Sequence, residues 1–330
     1  MTKYDFYKYH ALGNDYIVID PRRNPIVLNS EKIRLICHRN FGIGSDGILL
    51  GPIIKNGGMT LKIYNPDGSE AEKSGNGIRI FSRFLVDAGY VRSKKFFLVT
   101  KGGRVEVELM DRKAQVIKVD MGPVSFRSRD IPVSGLDRDV VNEPLDILGE
   151  LYRVTCLSIG NPHCAILMDD ISRERAMLLG PYVENHPQFP KRINMQLVKV
   201  VDRKNIQIEI WERGAGYTLA SGSSSCAAAS AVHRLGLSDS AVSVHMPGGI
   251  IDVEILENAH VMMTGSVNDV SFGYFSGPFK KELSKAGLPA STGKTREEGL
   301  GKIRTLSQAG LAKRLKRGKR SGDKRSGLSR

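Results

Sequence analysis

The spacing of apolar positions predicts an amphipathic helix after residue 74. In "SEAEKSGNGIRIFSRFL", residues 69 to 85, a polar loop leads into Ser74-Gly75-Asn76-Gly77. The apolar face of the helix would carry Ile78, Phe81, Phe84 and Leu85. Glycines at a helix start let backbone amides approach a ligand closely, and the free N–H groups and the dipole of a helix N-terminus attract anions. The segment therefore predicts an anion site with a serine hydroxyl beside it.

The same pattern returns 147 residues further along the chain. At that offset "KIYNPDGSEAEKSGNGIRI" from Lys62 lies over "EIWERGAGYTLASGSSSCA" from Glu209, which matches Ser74-Gly75 with Ser221-Gly222. The offset also lays "HALGND" over "LSIGNP", which matches Gly13-Asn14 with Gly160-Asn161. "VTKGGRVEVEL" matches "HMPGGIIDVEI" when one residue is skipped. Separate matches at one spacing indicate an internal duplication.

Each copy reads as one α/β unit. It predicts a strand, a Gly-Asn turn, a later strand with a long loop, a Ser-Gly helix start and a hairpin around Gly-Gly. The tight βαβ rhythm of a dinucleotide-binding fold is absent, and "GNGIRI" lacks its strand-turn-helix context. Two such domains would hold a ligand cleft between them, with one helix N-terminus and one serine from each half. Both serines equally suit plain N-caps, the commonest role of serine before a helix.

The positive charge of the chain is concentrated at its C-terminal end. The 330 residues carry a net charge of +14, and residues 291 to 330 hold thirteen Lys or Arg against three acidic residues. The segment "LAKRLKRGKRSGDKRSGLSR" is poor in large apolar residues, so it cannot bury enough surface to offset its ordering entropy. We expect a disordered tail that contacts nucleic acid or another acidic surface weakly and with strong salt dependence. The absence of aromatic residues between the charges favours a solvated tail.

The remaining composition indicates a cytoplasmic protein with two ordinary cores. The chain has 41% apolar residues, and no stretch approaches the roughly 18 consecutive apolar residues of a membrane span. "MTKYDFYKYHAL" lacks the apolar run of a signal peptide. The cysteines are Cys37, Cys156, Cys164 and Cys226. Their spacing shows neither metal-type pairing nor disulfide-scaffold density, which favours reduced structural thiols and no metal site.

Six blocks of the sequence resemble diaminopimelate epimerases in order and spacing. The blocks are "HALGNDYIVID", "GIGSDG", "YNPDGSEAEKSGNG", "SIGNPHCAI", "RINMQLV" and "WERGAGYTLASGSSSCAAA". They extend over residues 4 to about 277, which is everything but the tail. The resemblance implies an α/β (α+β) fold of two pseudo-symmetric duplicated domains, each a sheet wrapped around a central helix. The internal repeat agrees with this expectation.

The resemblance also sets the expected domain borders and partners. Residues 1–121 would form the first domain, with 268–277 crossing back to it, and residues 122–267 would form the second. Residues 279–330 would form the basic, disordered tail. The family works without pyridoxal phosphate or metal, so no cofactor is expected. The expected partner is a small amino-acid substrate rather than a membrane. Whether the protein forms a homodimer is left undecided by the sequence.

In the resembled family two cysteines face each other across the α-carbon of the substrate. One thiolate removes the α-proton while the opposite thiol delivers a proton to the other face. A thiol suits this task because its pKa, about 8.5 when free, falls at a helix N-terminus. The positions that match the two cysteines here are Ser74 and Ser221. A serine hydroxyl is almost never ionised unless an adjacent base activates it, and neither motif shows such a base.

The other site positions of the family match this chain residue by residue. By resemblance the ligands of the distal amino-acid group are Asn65, Asn161, Asn194, Glu212 and Arg213. The matches to the amide cradles of the reacting carboxylate are Gly75-Asn76 and Gly222-Ser223, and Asn14 and His163 match further motif positions. An Arg and a Glu together suit a carboxylate and an ammonium. The alternatives are turn chemistry for Asn14 and Asn65, and a surface ion pair for Glu212-Arg213.

Two departures from the family pattern bear on the chemistry. Gly216-Tyr217-Thr218 stands where the family usually has Gly-Glu-Thr, and Lys73 stands where an apolar or small residue is common. These neighbours favour natural divergence over an engineered double mutant. Tyr217 and His163 are candidate helpers in proton transfer. Lys73 is the weakest candidate for proton transfer, because neighbours on an extended loop tend to point in opposite directions. We expect it to be a solvated surface lysine, the usual state of this residue type.

Three functions follow from these residues. The first, which we favour, is a diaminopimelate epimerase-like isomerase that transfers the α-proton of LL- or meso-diaminopimelate without a cofactor, in the pathway to lysine and peptidoglycan precursors. The second is a thiol-independent isomerase or dehydratase on a related substrate, and the third is a catalytically inactive homologue that binds an amino acid. The absence of both thiols argues against efficient thiol epimerisation, because each general acid or base contributes about 10²–10⁴-fold.

Overall fold

The eight strands of the first half recur in the same order in the second half, which has one further strand at each of its ends. The computed structural model describes residues 4–55 and 57–287. In the first half the strands are β1 (Asp5–Ala11), β2 (Asn14–Ile19), β3 (Ile48–Lys55), β4 (Gly58–Tyr64), β5 (Glu70–Ala71), β6 (Lys95–Thr100), β7 (Gly103–Leu109) and β8 (Val116–Pro123). The strands that follow are β9 (Glu143–Ile147), β10 (Glu150–Ser158), β11 (Pro162–Leu167), β12 (Asn194–Asp202), β13 (Asn205–Glu212), β14 (Gly216–Thr218), β15 (Ala241–Met246), β16 (Gly249–Ile255), β17 (His260–Ser266) and β18 (Asn268–Tyr274).

Each of the five helices in the described residues begins at a polar N-cap. The helices are α1 (Ser30–Cys37), α2 (Gly75–Asp87), α3 (Arg173–Glu184), α4 (Gly222–Arg234) and α5 (Gly277–Lys285). Their caps are Asn29, Ser74, Ser172, Ser221 and Ser276. Each cap side chain accepts a hydrogen bond from the backbone N–H three residues further on. This bond satisfies one of the N–H groups that the first helical turn leaves free.

The elements confirm the internal repeat. Helices α2 and α4 both have 13 residues, and α4 begins 147 residues after α2. In the first half β2 pairs in parallel with β3 and β4 pairs in parallel with β6. In the second half β11 pairs in parallel with β12 and β13 pairs in parallel with β15. The hairpins predicted around Gly-Gly are β6–β7 and β15–β16, so one α/β unit is used twice.

The central helix of each unit is almost wholly buried under its sheet. Ten of the 13 residues of α2 and ten of the 13 residues of α4 are buried. Large residues such as Phe81 and Phe84 fill the core around α2, whereas a run of alanines from Ala227 to Ala229 lets strands approach α4 closely. The predicted fold class, two duplicated α/β domains each built around a central helix, is confirmed.

Two strand pairs join the units. Strand β8 pairs antiparallel with β17, and β18 returns to pair antiparallel with β1, with Asp5 opposite Tyr274. The last strand therefore lies in the first unit, where the resemblance places residues 268–277. The borders 1–121 and 122–267 stay predictions.

Most of helix α5 lies within residues 279–330, the predicted disordered tail, and that prediction is wrong for residues 279–285. Ser276 caps this helix and Pro278 lies in its first turn. Leu283 is only 3% exposed, and Phe279 packs edge-on against Phe275 in a core cluster that includes residues of α1, β2 and β3. Residues 279–285 thus gain an apolar partner surface that composition alone did not reveal. Residues 288–330, the rest of the predicted tail, lie outside the described residues.

The four cysteines are all buried and free, as expected for structural thiols. Cys156 and Cys164 are direct cross-strand partners on β10 and β11. Within the described part of the chain, no cluster of three or more His, Cys, Asp or Glu side chains could hold a metal ion. None of the helices described here is long and apolar enough to cross a membrane.

Candidate active site

The N-termini of the two central helices meet at one cleft. A Cβ atom built on Gly222 would lie 3.4 Å from the Cα of Gly75, so the first residues of α4 and α2 are in contact. Met263 packs against both, because the same Cβ would lie 2.6 Å from its Sδ and a Cβ on Gly75 would lie 2.8 Å from its Cε. The cleft has a volume of about 900 Å³. The predicted convergence is confirmed, and it directs two sets of free N–H groups and two helix dipoles at one point.

Thirteen of the fourteen residues predicted for the site line this cleft. They are Asn14, Asn65, Ser74, Gly75, Asn76, Asn161, Asn194, Glu212, Arg213, Tyr217, Ser221, Gly222 and Ser223. The exception is His163, which is wholly buried behind the lining. The structure brings the set together, and the role of each residue stays a prediction.

Ser74 caps α2 and also contacts a phenol. Its Oγ accepts a hydrogen bond from the N–H of Gly77 at 3.0 Å and lies 3.3 Å from the Tyr16 hydroxyl. Tyr16 lines the cleft and is 7% exposed. Burial raises the pKa of Tyr16 well above its ordinary value, and the charge of Glu212 adds to the rise. Tyr16 is therefore a neutral phenol over the physiological pH range.

Ser221 caps α4 and interacts with a carboxylate instead. Its Oγ accepts a hydrogen bond from the N–H of Ser224 at 3.4 Å. Burial raises the pKa of the Glu212 carboxyl, and the nearby Ser221 hydroxyl offsets part of that rise. A carboxylate with a raised pKa is a stronger base than an exposed one. Glu212 is thus a candidate base for Ser221, but no hydrogen bond joins its carboxylate to Ser221 Oγ in the described residues, and the expectation that neither motif supplies an adjacent base stays a prediction.

Asn76, the second residue of α2, ties the cleft to the buried core. Its Nδ2 donates to Asn14 Oδ1 at 3.1 Å and to the carbonyl of Ala220 at 3.3 Å, while its Oδ1 accepts from Arg79 Nη2 at 2.8 Å. Asn14 in turn donates to the carboxylate of Asp46 at 2.9 Å. Since Ala220 lies two residues before α4, the Asn76 side chain holds the start of α4 against the start of α2.

Asn194 fixes the backbone at Arg213. The N–H of Arg213 donates to Asn194 Oδ1 at 2.9 Å, and Asn194 Nδ2 donates to the carbonyl of Pro162 at 2.7 Å. The Arg213 guanidinium donates to the carbonyl of Lys191 at 3.1 Å. Both polar ends of Asn194 are thus engaged inside the protein, and one hydrogen of its Nδ2 and one lone pair of its Oδ1 are left for a ligand.

Asn65 and Asn161 line the cleft from different halves of the chain. Asn65 Nδ2 donates to Ser69 Oγ at 3.0 Å, and the Asn65 N–H donates to the Ser69 carbonyl at 2.9 Å, so the turn chemistry considered for Asn65 is confirmed. Asn161 Oδ1 lies 3.0 Å from Nε2 of His163. The His163 ring also contacts Gln196, and burial lowers its pKa to about 3. His163 is therefore neutral, and Asn161 stands between it and the cleft.

The two departures from the family pattern both have partners in the structure. Tyr217 lines the cleft, and its hydroxyl donates to Glu209 Oε2 at 2.7 Å. Lys73 is half-buried, and its Nζ donates to the carbonyls of Met121 at 2.6 Å and Asp120 at 3.4 Å. Burial lowers the pKa of Lys73. The expectation of a solvated surface lysine is therefore wrong.

Sequence reasoning missed three residues that support the site. Tyr16 follows Asn14 by two positions on β2, so the period of a strand places both on one face. Arg79 follows Asn76 by three positions on α2, so the period of a helix does the same. Glu184, which accepts a hydrogen bond from the N–H of Gly214 at 2.9 Å, has no such local signal.

Comparison with solved structures defines the class by fold. The structure of a probable proline racemase from Agrobacterium radiobacter K84 matches with a TM-score of 0.62 at 14% identity, over 84% of this chain and 95% of that one. The chain therefore has the duplicated-domain fold of the proline racemases.

Comparison with known sequences gives the family. The sequence model described as diaminopimelate epimerase matches residues 6–127 and 155–270. Diaminopimelate epimerase 2 of Nostoc sp. strain PCC 7120 is 56% identical over 272 residues, 82% of this chain and 95% of the relative. Diaminopimelate epimerase of Moorella thermoacetica is 37% identical over 275 residues, 82% of this chain and 98% of the relative. The chain belongs to the diaminopimelate epimerase family and is an isomerase of the epimerase class.

Proposed function

We propose that this chain binds diaminopimelate in the cleft and transfers a proton at its α-carbon, which interconverts the LL and meso forms. One observation carries the proposal: the starts of α2 and α4 are in contact, with a serine hydroxyl at each. A carboxylate held by both helix ends would place its own α-carbon between Ser74 and Ser221. Family membership supports the choice of substrate.

The cleft offers a partner for each charged group of such a substrate. The amides of Gly75-Asn76 and Gly222-Ser223 would hold the reacting carboxylate, as helix N-termini hold anions. Arg213 would bind the distal carboxylate, because a guanidinium forms paired hydrogen bonds to two carboxylate oxygens. Glu212 would face an ammonium group. The remaining polar ligands of the distal end would be Asn65, Asn161 and Asn194.

Proton transfer in this cleft would use different groups on the two sides. On one side the Ser221 hydroxyl would take the α-proton while it gives its own proton to Glu212, whose raised pKa suits a base. On the other side the Ser74 hydroxyl would deliver a proton to the α-carbon. Tyr217 and His163 would act only through Glu209 and Asn161, their present hydrogen-bond partners.

Deuterium exchange at the α-carbon tests the proposal directly. Purified protein would be incubated with LL- or meso-diaminopimelate in D₂O and followed by NMR, beside a Ser74→Cys/Ser221→Cys double variant that restores the thiols of the family. We expect exchange in the unmodified protein and faster exchange in the double variant. A Ser74→Ala/Ser221→Ala variant controls for exchange that does not involve the hydroxyls.

The outcomes separate catalysis from binding. If the cysteine variant exchanges the α-proton and the unmodified protein does not, the proposed reaction is overturned. The chain would then be a homologue that binds an amino acid. If neither protein exchanges the α-proton, and saturating diaminopimelate does not change the melting temperature, the proposed ligand is overturned as well.

The cellular setting follows from the same proposal. The protein would act in the cytoplasm, on the route to lysine and peptidoglycan precursors, without a cofactor. The basic segment after residue 291 would contact acidic surfaces weakly, and a homodimer is one of the two oligomeric states, monomer or dimer, between which light scattering would decide. Cell fractionation and light scattering of the full chain, with and without 0.5 M salt, are the corresponding measurements, since salt at about this level screens surface charge.

A further inference from the structure

Tyr16 gives Ser74 a neighbour that Ser221 lacks. The phenol oxygen lies 3.3 Å from Ser74 Oγ, and the ring stands on β2, a strand whose residues are almost all buried. The residue lines the cleft, so its hydroxyl is at the boundary between the core and the ligand space. Ser221, at the matching position of the second unit, interacts with the Glu212 carboxylate instead.

The hydrogen-bond partners of Ser74 allow its one proton to point into the cleft. A serine hydroxyl has one hydrogen and two lone pairs, and the N–H of Gly77 occupies one lone pair. When the Tyr16 hydroxyl donates to the other lone pair, the hydrogen of Ser74 is free to point at a ligand. The 3.3 Å contact allows either hydroxyl to donate, and in this arrangement Ser74 is a donor to the ligand rather than a base.

A serine that donates its proton without help becomes an alkoxide, which is too basic to form readily. A phenol has an ordinary pKa of about 10, below that of an aliphatic hydroxyl, and burial disfavours both anions, so a phenolate is less costly than a serine alkoxide in the same place. Burial raises the pKa of Tyr16, which keeps the phenol protonated between turnovers. The negative charge that remains after proton donation would therefore reside on the Tyr16 oxygen.

We infer that Tyr16 and Ser74 form a two-hydroxyl relay that protonates one face of the α-carbon, with the phenol as the source of the proton. This inference rests on the proposed function. As the new Cα–H bond forms, the Ser74 O–H bond breaks, and Ser74 takes the proton of Tyr16. Water in the cleft reprotonates the phenolate, and the hydroxide that remains takes up the proton that Glu212 releases, so the site returns to its starting state. Glu212 and Ser221 collect the proton from the opposite face, so one side of the site carries an acid and the other a base.

A comparison of serine and cysteine at position 74 tests the relay. Tyr16→Phe removes the phenol oxygen and keeps the ring. In the unmodified protein we expect this change to lower kcat by about 10²-fold or more, the usual contribution of a general acid, with KM within about threefold. In a Ser74→Cys background the same change should cost less than about threefold, because a thiol with a pKa of about 8.5 can donate without a phenol.

Tyr9→Phe is the matched control. Tyr9 is the direct cross-strand partner of Tyr16, is 4% exposed, and donates its own hydroxyl to Asp87 Oδ2 at 3.1 Å away from the cleft lining. Its loss should leave kcat unchanged. Equal losses from Tyr16→Phe in both backgrounds, or no loss in either, would overturn the relay while the proposed function stands. Absence of exchange in the unmodified protein would overturn both.

A second measurement needs no variant. Two protons move together when the relay works, so the rate in mixtures of H₂O and D₂O should curve with the deuterium fraction for at least one of the two substrate isomers. A strictly linear dependence for both isomers would mean a single proton in flight and would contradict the relay.

Discussion

The indole N–H of Trp211 donates a 2.7 Å hydrogen bond to the carboxylate of Glu184. That carboxylate, at the last residue of α3 and 6% exposed, also accepts from the N–H of Gly214 and from the guanidinium of Arg192, each at 2.9 Å. Three donors on one buried carboxylate fix the turn between β13 and β14. Because Arg213 lies in that turn, α3 determines where the guanidinium stands in the cleft.

Glu184→Gln should therefore weaken ligand binding from a distance. A glutamine keeps one acceptor oxygen but turns an N–H₂ group toward a donor, so at least one hydrogen bond to a charged group, worth about 1.5–3 kcal/mol, is lost. We expect the free energy of unfolding to fall by about 2 kcal/mol and the Kd for diaminopimelate to rise about tenfold as the turn loosens. Urea unfolding and calorimetric titration measure the two effects.

Glu174→Gln is the control on the same helix, because Glu174 is exposed in the first turn of α3. It should leave the Kd unchanged and affect the free energy of unfolding much less, since only an exposed charge at the helix N-terminus is lost. An unchanged Kd in Glu184→Gln, despite lower stability, would mean that the turn holds Arg213 without the carboxylate.

The contact between the helix starts makes a second prediction, for Gly222→Ala. The added methyl would lie 2.6 Å from Met263 Sδ and 3.4 Å from the Cα of Gly75. Overpacking of this kind costs about 1–3 kcal/mol, and relief by moving α4 would separate the two amide cradles. We expect lower stability and loss of measurable ligand binding by calorimetry.

Gly277→Ala is matched to it, because Gly277 also follows a serine N-cap as the first residue of a helix but would meet nothing within 4 Å. The control variant should behave as the unmodified protein does. Ligand binding retained in Gly222→Ala would show that the cleft does not depend on the close approach of the helices.

The parts of the fold that could be predicted from the sequence were those with local signals. The Ser-Gly helix starts and the Gly-Gly hairpins are each encoded in a short segment, and these segments recur 147 residues later in the chain. The two similar α/β units follow from this repetition. The cleft residues lie in the repeated segments, so they were found together. Helix α5 was missed although Ser276 and Pro278 are ordinary helix-start signals, because the charge further along dominated that prediction.

The parts that could not be predicted are pairings between distant segments. Glu184 and Trp211 are 27 residues apart, and Tyr16 and Ser74 are 58 apart. A sequence shows that each residue exists but not which partner it meets. Glu212 was expected only as a ligand, since its interaction with Ser221 depends on how β13 and the start of α4 lie in the folded cleft.

Arg79 gives a third prediction, because it is a buried cation with little compensation. Its side chain is fully buried, its Nη1 faces Met263 Sδ at 3.1 Å, and its Nε has no hydrogen-bond partner in the described residues. Burial lowers its pKa to about 10. Its Nη2 hydrogen bond to Asn76 puts this charge directly behind the amide cradle. The buried charge should therefore lower the free energy of unfolding, and an anionic ligand bound in the cleft should offset part of that loss.

Arg79→Met should therefore weaken diaminopimelate binding more than it weakens the fold. An apolar side chain removes the cost of a buried charge but leaves Asn76 Oδ1 without its donor, so the free energy of unfolding should change by less than about 2 kcal/mol. The Kd should rise about tenfold, and Arg79→Lys, which keeps the charge, should retain most of the affinity. Calorimetry and urea unfolding test both, and a loss of stability above about 3 kcal/mol in Arg79→Met would show a structural role instead.

The raised pKa of Glu212 makes the last prediction, a stability that falls with rising pH. Burial raises the carboxyl pKa above its ordinary 4.5, so the folded protein keeps a proton that the unfolded chain has already released. The folded state then binds more protons, and the free energy of unfolding decreases as the pH rises from 4.5 to the raised pKa. Glu212→Gln carries no such proton. The variant should be the more stable protein at pH 8, with the difference shrinking toward pH 4.5.

Urea unfolding of both proteins at several pH values measures this difference, and Glu72→Gln, which removes an exposed charge from the same cleft lining, controls for net charge. Diaminopimelate binding should change in the opposite sense, because an ammonium group needs the ionised carboxylate: affinity should rise with pH in the unmodified protein and stay flat in Glu212→Gln. A stability difference that is the same at every pH would mean that the pKa of Glu212 is the same in the folded protein and in the unfolded chain, which would contradict the raised pKa that its role as the base for Ser221 requires.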